Sequence, residues 1–208
     1  MQAYMKSTMP YRGVPTPRNR PIVAGAIAAH PLAASRVWEE VIRSLWFDAS
    51  YREERYAAIG ILQARRYRAF RTPEILPLLR DLIVSGAWWD LVDGIATQTV
   101  GEILVGWPSL ITPEMHRWSR DANLWIRRTA ILSQNHARLR TDETLLVVCI
   151  EASLAARDFF ARKAIGWALR EYAKVRPERV RALVDQWGER LSGLSRREAL
   201  KHVGPSVE

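Results

Sequence analysis

The chain has 208 residues, 31 Lys+Arg against 22 Asp+Glu, a formal charge of +9 and a pI near 10.3. That length supports one domain with a substantial core, and the one-signed charge favours a polyanionic partner such as nucleic acid or an anionic membrane face. The single cysteine, Cys149, excludes an intrachain disulfide and a cysteine zinc site, and no apolar run approaches the ~20 residues of a membrane span.

Met1-Gln2-Ala3-Tyr4 lacks the apolar core of a signal peptide, so the expected setting is reducing and cytoplasmic. His30, His116, His136 and His202 are scattered without ligand spacing, and no metal site is expected. Phosphate-binding glycine motifs and a nucleophile-elbow serine are missing from the sequence, so no cofactor is expected either.

Tyr4-Met5-Lys6 reads as the tail of a helix. Thr16-Pro17 then opens one, with Thr as N-cap and Pro at the first helical position. Apolar spacing near 3.6 predicts helices over 35–47, 51–67 and 72–85, then over 88–105, closed by Gly106-Trp107-Pro108. Thr112-Pro113 starts a short helix, followed by helices over 123–136, 141–155, 158–175 and 177–187. Ser195-Arg196-Arg197-Glu198 is a capping box for the last. Helices of this length with short connectors form antiparallel pairs of roughly 35–45 residues, the rhythm of HEAT-type units. The expected fold is all-α, a HEAT-like helical-repeat solenoid (an α-α superhelix) with a basic concave face, in one domain over 1–208.

Wheels at about 100° per residue separate core from groove. Over 88–105 the apolar arc centres on Trp88, Val92, Ile95, Ala96, Val100 and Ile103. Trp89 and Asp93 share its shoulder with Thr97, an indole one turn before a carboxylate. Over 158–175 the core arc runs through Phe160, Ala161, Ala164, Ile165, Ala168 and Tyr172, leaving Trp167 on an edge with Lys163 and Arg170. An indole flanked by cations suits stacking beside phosphate contacts, or equally a cover over the next helix with cation stems on it. Arg128 projects into an apolar arc between Leu124 and Ile131 on one side and Trp125 and Leu132 on the other. It requires an anionic partner, either a DNA phosphate or a carboxylate such as Asp93. Arg65-Arg66-Tyr67-Arg68, Arg138, Arg140, Arg162-Lys163, Arg196-Arg197 and Lys201 supply most of the positive field. Runs of charge are ordinarily solvated faces, but this excess has one sign.

The segments SGAWWDLVDGIA, NLWIRRTAILSQ, FFARKAIGWALREYAK and LSRREALKH together resemble the AlkD-like DNA alkylation repair family of HEAT-like proteins over nearly the whole chain. The resemblance implies a DNA glycosylase that removes N7- and N3-alkylated purines such as 7-methylguanine from duplex DNA. It implies action at the lesion by Trp89 and Asp93 of WWDLVD and by Trp167 of KAIGW. It also implies DNA contacts by Arg128 of WIRRTAI and by Arg170 of LREY; Lys163, Arg138 and Tyr4 complete the expected DNA-binding set. Family members usually begin with a further amphipathic helix ahead of the segment holding Tyr4, so that helix is expected to be truncated or absent here. Capture of the lesion without a base-binding pocket is likewise implied by the resemblance.

An alkylated purine is cationic and already a good leaving group, so the chemistry needs an anion beside an oxocarbenium-like sugar rather than a general acid. With no lysine near Asp93 in sequence to form a Schiff base, a monofunctional enzyme is expected; separately, the chain is expected to be a monomer. Two rivals remain open: a non-catalytic HEAT-like binder of damaged or branched DNA, and a protein-interaction scaffold, for which charge and tryptophans are incidental.

Overall fold

The computed structural model describes residues 2–203, and every regular element among them is helical, without strands. The helices pack on the next helix in the chain or the next but one, as in a helical-repeat protein. They form two compact units, divided between Leu78 and Leu79.

The first unit holds α1 (Gln2–Met5), α2 (Thr16–Ala29), α3 (Ser35–Phe47) and α4 (Arg52–Gln63), then 3-10 turns over Arg65–Phe70 and Pro73–Ile75. On α3, Trp38, Ile42 and Trp46 recur every fourth residue and are fully buried, the stripe expected of a helix with one core face. It packs on α4, where Trp38 donates its indole N–H to the Ile61 carbonyl at 3.4 Å. Buried Glu53 ties down the chain ahead of α2 by accepting from the Arg12 and Val14 amides at 3.0 and 3.1 Å. The predicted helix over 51–67 stops early because Ala64 leaves the helical region at ψ 131°. The Leu62 and Ala64 carbonyls freed there accept from the Arg71 guanidinium at 3.1 and 3.0 Å, which satisfies orphan acceptors at a buried helix end.

The helix α5 (Leu76–Gly86) carries the boundary between the units. The second unit continues with α6 (Trp89–Gly94), a π-helical stretch (Ile95–Val100) and α7 (Gly101–Gly106), which run on as one helix because Gly94, Ile95, Val100 and Gly101 all keep right-handed helical angles. Then come α8 (Pro108–Trp118), α9 (Leu124–Leu132), α10 (Glu143–Glu151), α11 (Phe159–Ala173), α12 (Pro177–Trp187) and α13 (Gly193–Ala199). Asn123, Asp142 and Asp158 cap α9, α10 and α11 through their side chains, so polar residues read as the starts of those helices are their N-caps or lie beside them.

Four expectations are corrected. Thr16 is the first residue of α2 rather than its cap, and Pro15 precedes it without a side-chain cap bond. Pro113 lies inside α8, which starts at Pro108; a proline at the first helical position loses no bond, and the stretch read as a closing loop is the true start. The helix predicted over 88–105 holds a π turn, and Trp88 is its extended N-cap at φ −154° and ψ 145°. The last helix starts at Gly193 with Ser192 as cap, which frees Glu198 from a capping role.

Close approach is needed at two glycines. A Cβ on Gly101 would lie 2.6 Å from the Ser133 carbonyl oxygen, and one on Gly166 would lie 2.5 Å from Glu198 Cβ. No helix among the described residues is long and apolar enough to cross a membrane.

Candidate active site

Trp88 is extended, so helix geometry begins at Trp89 and places Asp93 one turn later. The π turn follows at once, and the Thr97 hydroxyl donates to the Asp93 carbonyl at 2.8 Å. Such turns inside α-helices are frequent at functional sites. From the facing side, the Asn123 side chain caps α9 by accepting from the Trp125 and Ile126 amides at 2.8 and 3.3 Å. Arg128 then falls one turn into that helix.

The two meet side-on. Arg128 Nε donates to Asp93 Oδ1 and Nη2 to Oδ2, both at 2.7 Å, while Nη1 donates to the Phe160 carbonyl at 2.6 Å. The Arg128 side chain is 5% exposed and that of Asp93 is 16% exposed. The buried guanidinium is thus satisfied from two other helices, α6 and α11. Burial pushes the Asp93 carboxyl above the ordinary aspartate range; Arg128 pulls it back in part, and Asp90 nearby adds to the rise.

A second set of contacts joins the same helices. Phe160 lies 5.2 Å from Trp88 and 5.1 Å from Trp125 between ring centroids, and the two indoles are 6.1 Å apart. Tilted and edge-on arrangements of this kind suit the ring quadrupoles. The aromatic trio and the ion pair therefore fix the register of α6, α9 and α11, leaving Trp89, one turn before Asp93 on α6, 37% exposed.

Trp167 is half-buried on α11, with Lys163 one turn before it and Arg170 one turn after. Both cations meet Glu198 of α13: Lys163 Nζ lies 2.9 Å from Oε1, and Arg170 Nη1 donates to Oε2. Arg138 is exposed on the connection from α9 to α10, in the left-handed region at φ 53°, with its carbonyl accepting from the Thr141 hydroxyl at 2.8 Å. Tyr4 is 79% exposed on α1 of the first unit.

Of the residues singled out in the sequence, Asp93 and Arg128 are in direct contact, and Lys163 and Arg170 are joined through Glu198. The sequence reading missed Glu198, taken as a capping residue, and the pairing of Phe160 with Trp88 and Trp125. The Phe159-Phe160 doublet at a helix start was the available signal. No group of three or more His, Cys, Asp or Glu among the described residues could hold a metal ion.

Stacked helices with a buried carboxylate–guanidinium pair beside an exposed indole define a helical-repeat protein with a polar site on its second unit. The chain belongs to the DNA alkylation repair enzyme family, which matches it over residues 1–203. It is similar to a solved structure described as a predicted DNA alkylation repair enzyme from Enterococcus faecalis, at 26% identity and a TM-score of 0.88, covering 99% of this chain and 94% of that one. No curated protein matches it. Its role is in DNA alkylation repair.

Proposed function

We propose that the protein is a monofunctional DNA glycosylase that excises N7- and N3-alkylated purines from duplex DNA by hydrolysing the N-glycosidic bond. The observation that carries this reading is the Asp93 carboxylate, locked side-on by Arg128, with the exposed Trp89 one turn before it on the same helix. Each carboxylate oxygen uses one acceptor site on Arg128 and keeps another for a water or a sugar contact. As the bond from C1′ to the purine breaks, the bonding pair leaves with the base, whose positive charge it neutralises. The sugar becomes oxocarbenium-like, and water attacks C1′, its proton passing to solvent.

Asp93, ionised, stabilises the positive sugar and orients that water. Trp89 and Trp167 pack on the deoxyribose and exclude bulk water, which strengthens the electrostatic effect. Arg128 acts as a positioning residue for Asp93. Lys163, Arg170 and Arg138 of the second unit are assigned to the duplex around the lesion, and Tyr4 of the first unit to a DNA contact of its own, in keeping with the net charge of +9.

A second reading is favoured by the same contact. Both Asp93 oxygens are engaged by Arg128, as in a purely structural ion pair, and a non-catalytic binder of damaged DNA would need no more. Release of 7-methylguanine from methylated duplex by the wild type and by Asp93→Asn separates the two. Release by the wild type with strong loss in Asp93→Asn and duplex affinity retained supports the glycosylase. Duplex binding without any release by the wild type supports the binder.

A further inference from the structure

Lys163, Trp167 and Arg170 stand at i, i+4 and i+7 of α11 and so share one face. The two cations do not project independently. Glu198 lies between them, with Oε1 2.9 Å from Lys163 Nζ and Oε2 accepting from Arg170. Its side chain is 20% exposed, against 36% for Lys163, so a phosphate approaching from solvent can reach the lysine without displacing the carboxylate. The arrangement is built from both helices. Gly166 leaves room for α13, since a Cβ there would lie 2.5 Å from Glu198 Cβ and 3.0 Å from the Ser195 carbonyl. The Ser195 hydroxyl also donates to the Arg162 carbonyl at 2.9 Å. Lys163, foremost, and Arg170 hold the Glu198 carboxyl below its ordinary range against the opposing effect of burial.

We infer that Glu198 is a positioning residue of the DNA site: it holds Lys163 and Arg170 one turn to either side of Trp167 and masks one of their two charges toward the duplex. This rests on the duplex-DNA reading above. A shared carboxylate keeps two like charges close and aimed, and leaves the patch worth one phosphate contact rather than two. Ordinary duplex is therefore held weakly beside the indole.

The test is the salt dependence of binding to a short undamaged duplex, with thermal unfolding followed in parallel. Glu198→Gln unmasks a charge, so its salt slope steepens by about one unit, and between 50 and 200 mM salt its affinity falls about threefold more than that of the wild type. Lys163→Gln and Arg170→Gln each lose about one unit of slope, and the double variant loses no more than either alone. That non-additivity can be read whether or not Glu198→Gln folds. A wild-type slope in folded Glu198→Gln, or additive losses in the double variant, would show that Glu198 merely fastens α13 to α11. A wild-type chain without salt-dependent duplex binding would remove the duplex reading itself, and this inference with it.

Discussion

Arg128 and Asp93, 35 residues apart in the chain, are joined by two parallel contacts of 2.7 Å, and the remaining arm of the guanidinium is held by the Phe160 carbonyl. The pair thus serves as a joint among three helices and as a clamp on one carboxylate. Paired charges of this kind contribute little net stability over a hydrophobic replacement, yet removing one partner is costly because the other stays buried and unpaired.

Arg128→Ala accordingly destabilises the protein by about 3–5 kcal/mol, while the double replacement Asp93→Leu with Arg128→Met recovers most of that loss. Chemical denaturation of the two variants beside the wild type checks this. An unfolding midpoint of Arg128→Ala equal to that of the wild type would mean that the pair opens freely to water.

The raised Asp93 carboxyl gives excision a defined acid limb. Folding favours the protonated form of an acid whose value is raised, so this group adds stability below its unfolded value and that contribution is lost as pH rises through the folded one. The proposed chemistry uses the ionised form. Excision therefore rises with pH through a midpoint above the ordinary aspartate value of 3.8, and Arg128→Gln moves the midpoint higher by removing the cation that opposes burial. Rates on methylated duplex, corrected for spontaneous depurination, give the profile. A midpoint at or below the ordinary value, unmoved by the variant, would remove Asp93 from the rate-limiting step.

Neighbouring tryptophans should divide by role. Trp125 is 8% exposed within the aromatic trio, so Trp125→Ala costs about 3–5 kcal/mol of stability. Trp89 is 37% exposed, and Trp89→Ala costs about 1 kcal/mol or less while lowering excision by at least tenfold. Parallel melting and single-turnover assays separate the two. Equal loss of stability in both would place Trp89 among the packing residues.

Gly101 tests the approach of α7 to the chain following α9. An added methyl would meet the Ser133 carbonyl oxygen at 2.6 Å, and backbone cannot swing aside as a side-chain tip can. Gly101→Ala should lower the melting temperature despite the better helix propensity of alanine. A rise would show that the two segments can separate at little cost.

Much of this molecule is legible along the chain because helix periodicity and capping are local. Of the predicted core arc, Val92, Ile95, Ala96, Val100 and Ile103 are fully buried, whereas Trp88, at the extended N-cap, is half-buried; Ser35–Phe47 and Pro177–Trp187 are helices with the bounds their spacing implies. Spacing also set Trp89 and Asp93 on one face and showed that Arg128 required an anion. Which anion it found was decided by the tertiary fold, because a contact across 35 residues depends on the registers of α6, α9 and α11 together. The same holds for Glu198: a local reading makes it a cap, whereas the close approach of α13 at Gly166 turns it toward Lys163 and Arg170. Local rules specify which face a side chain occupies; only packing specifies what that face meets.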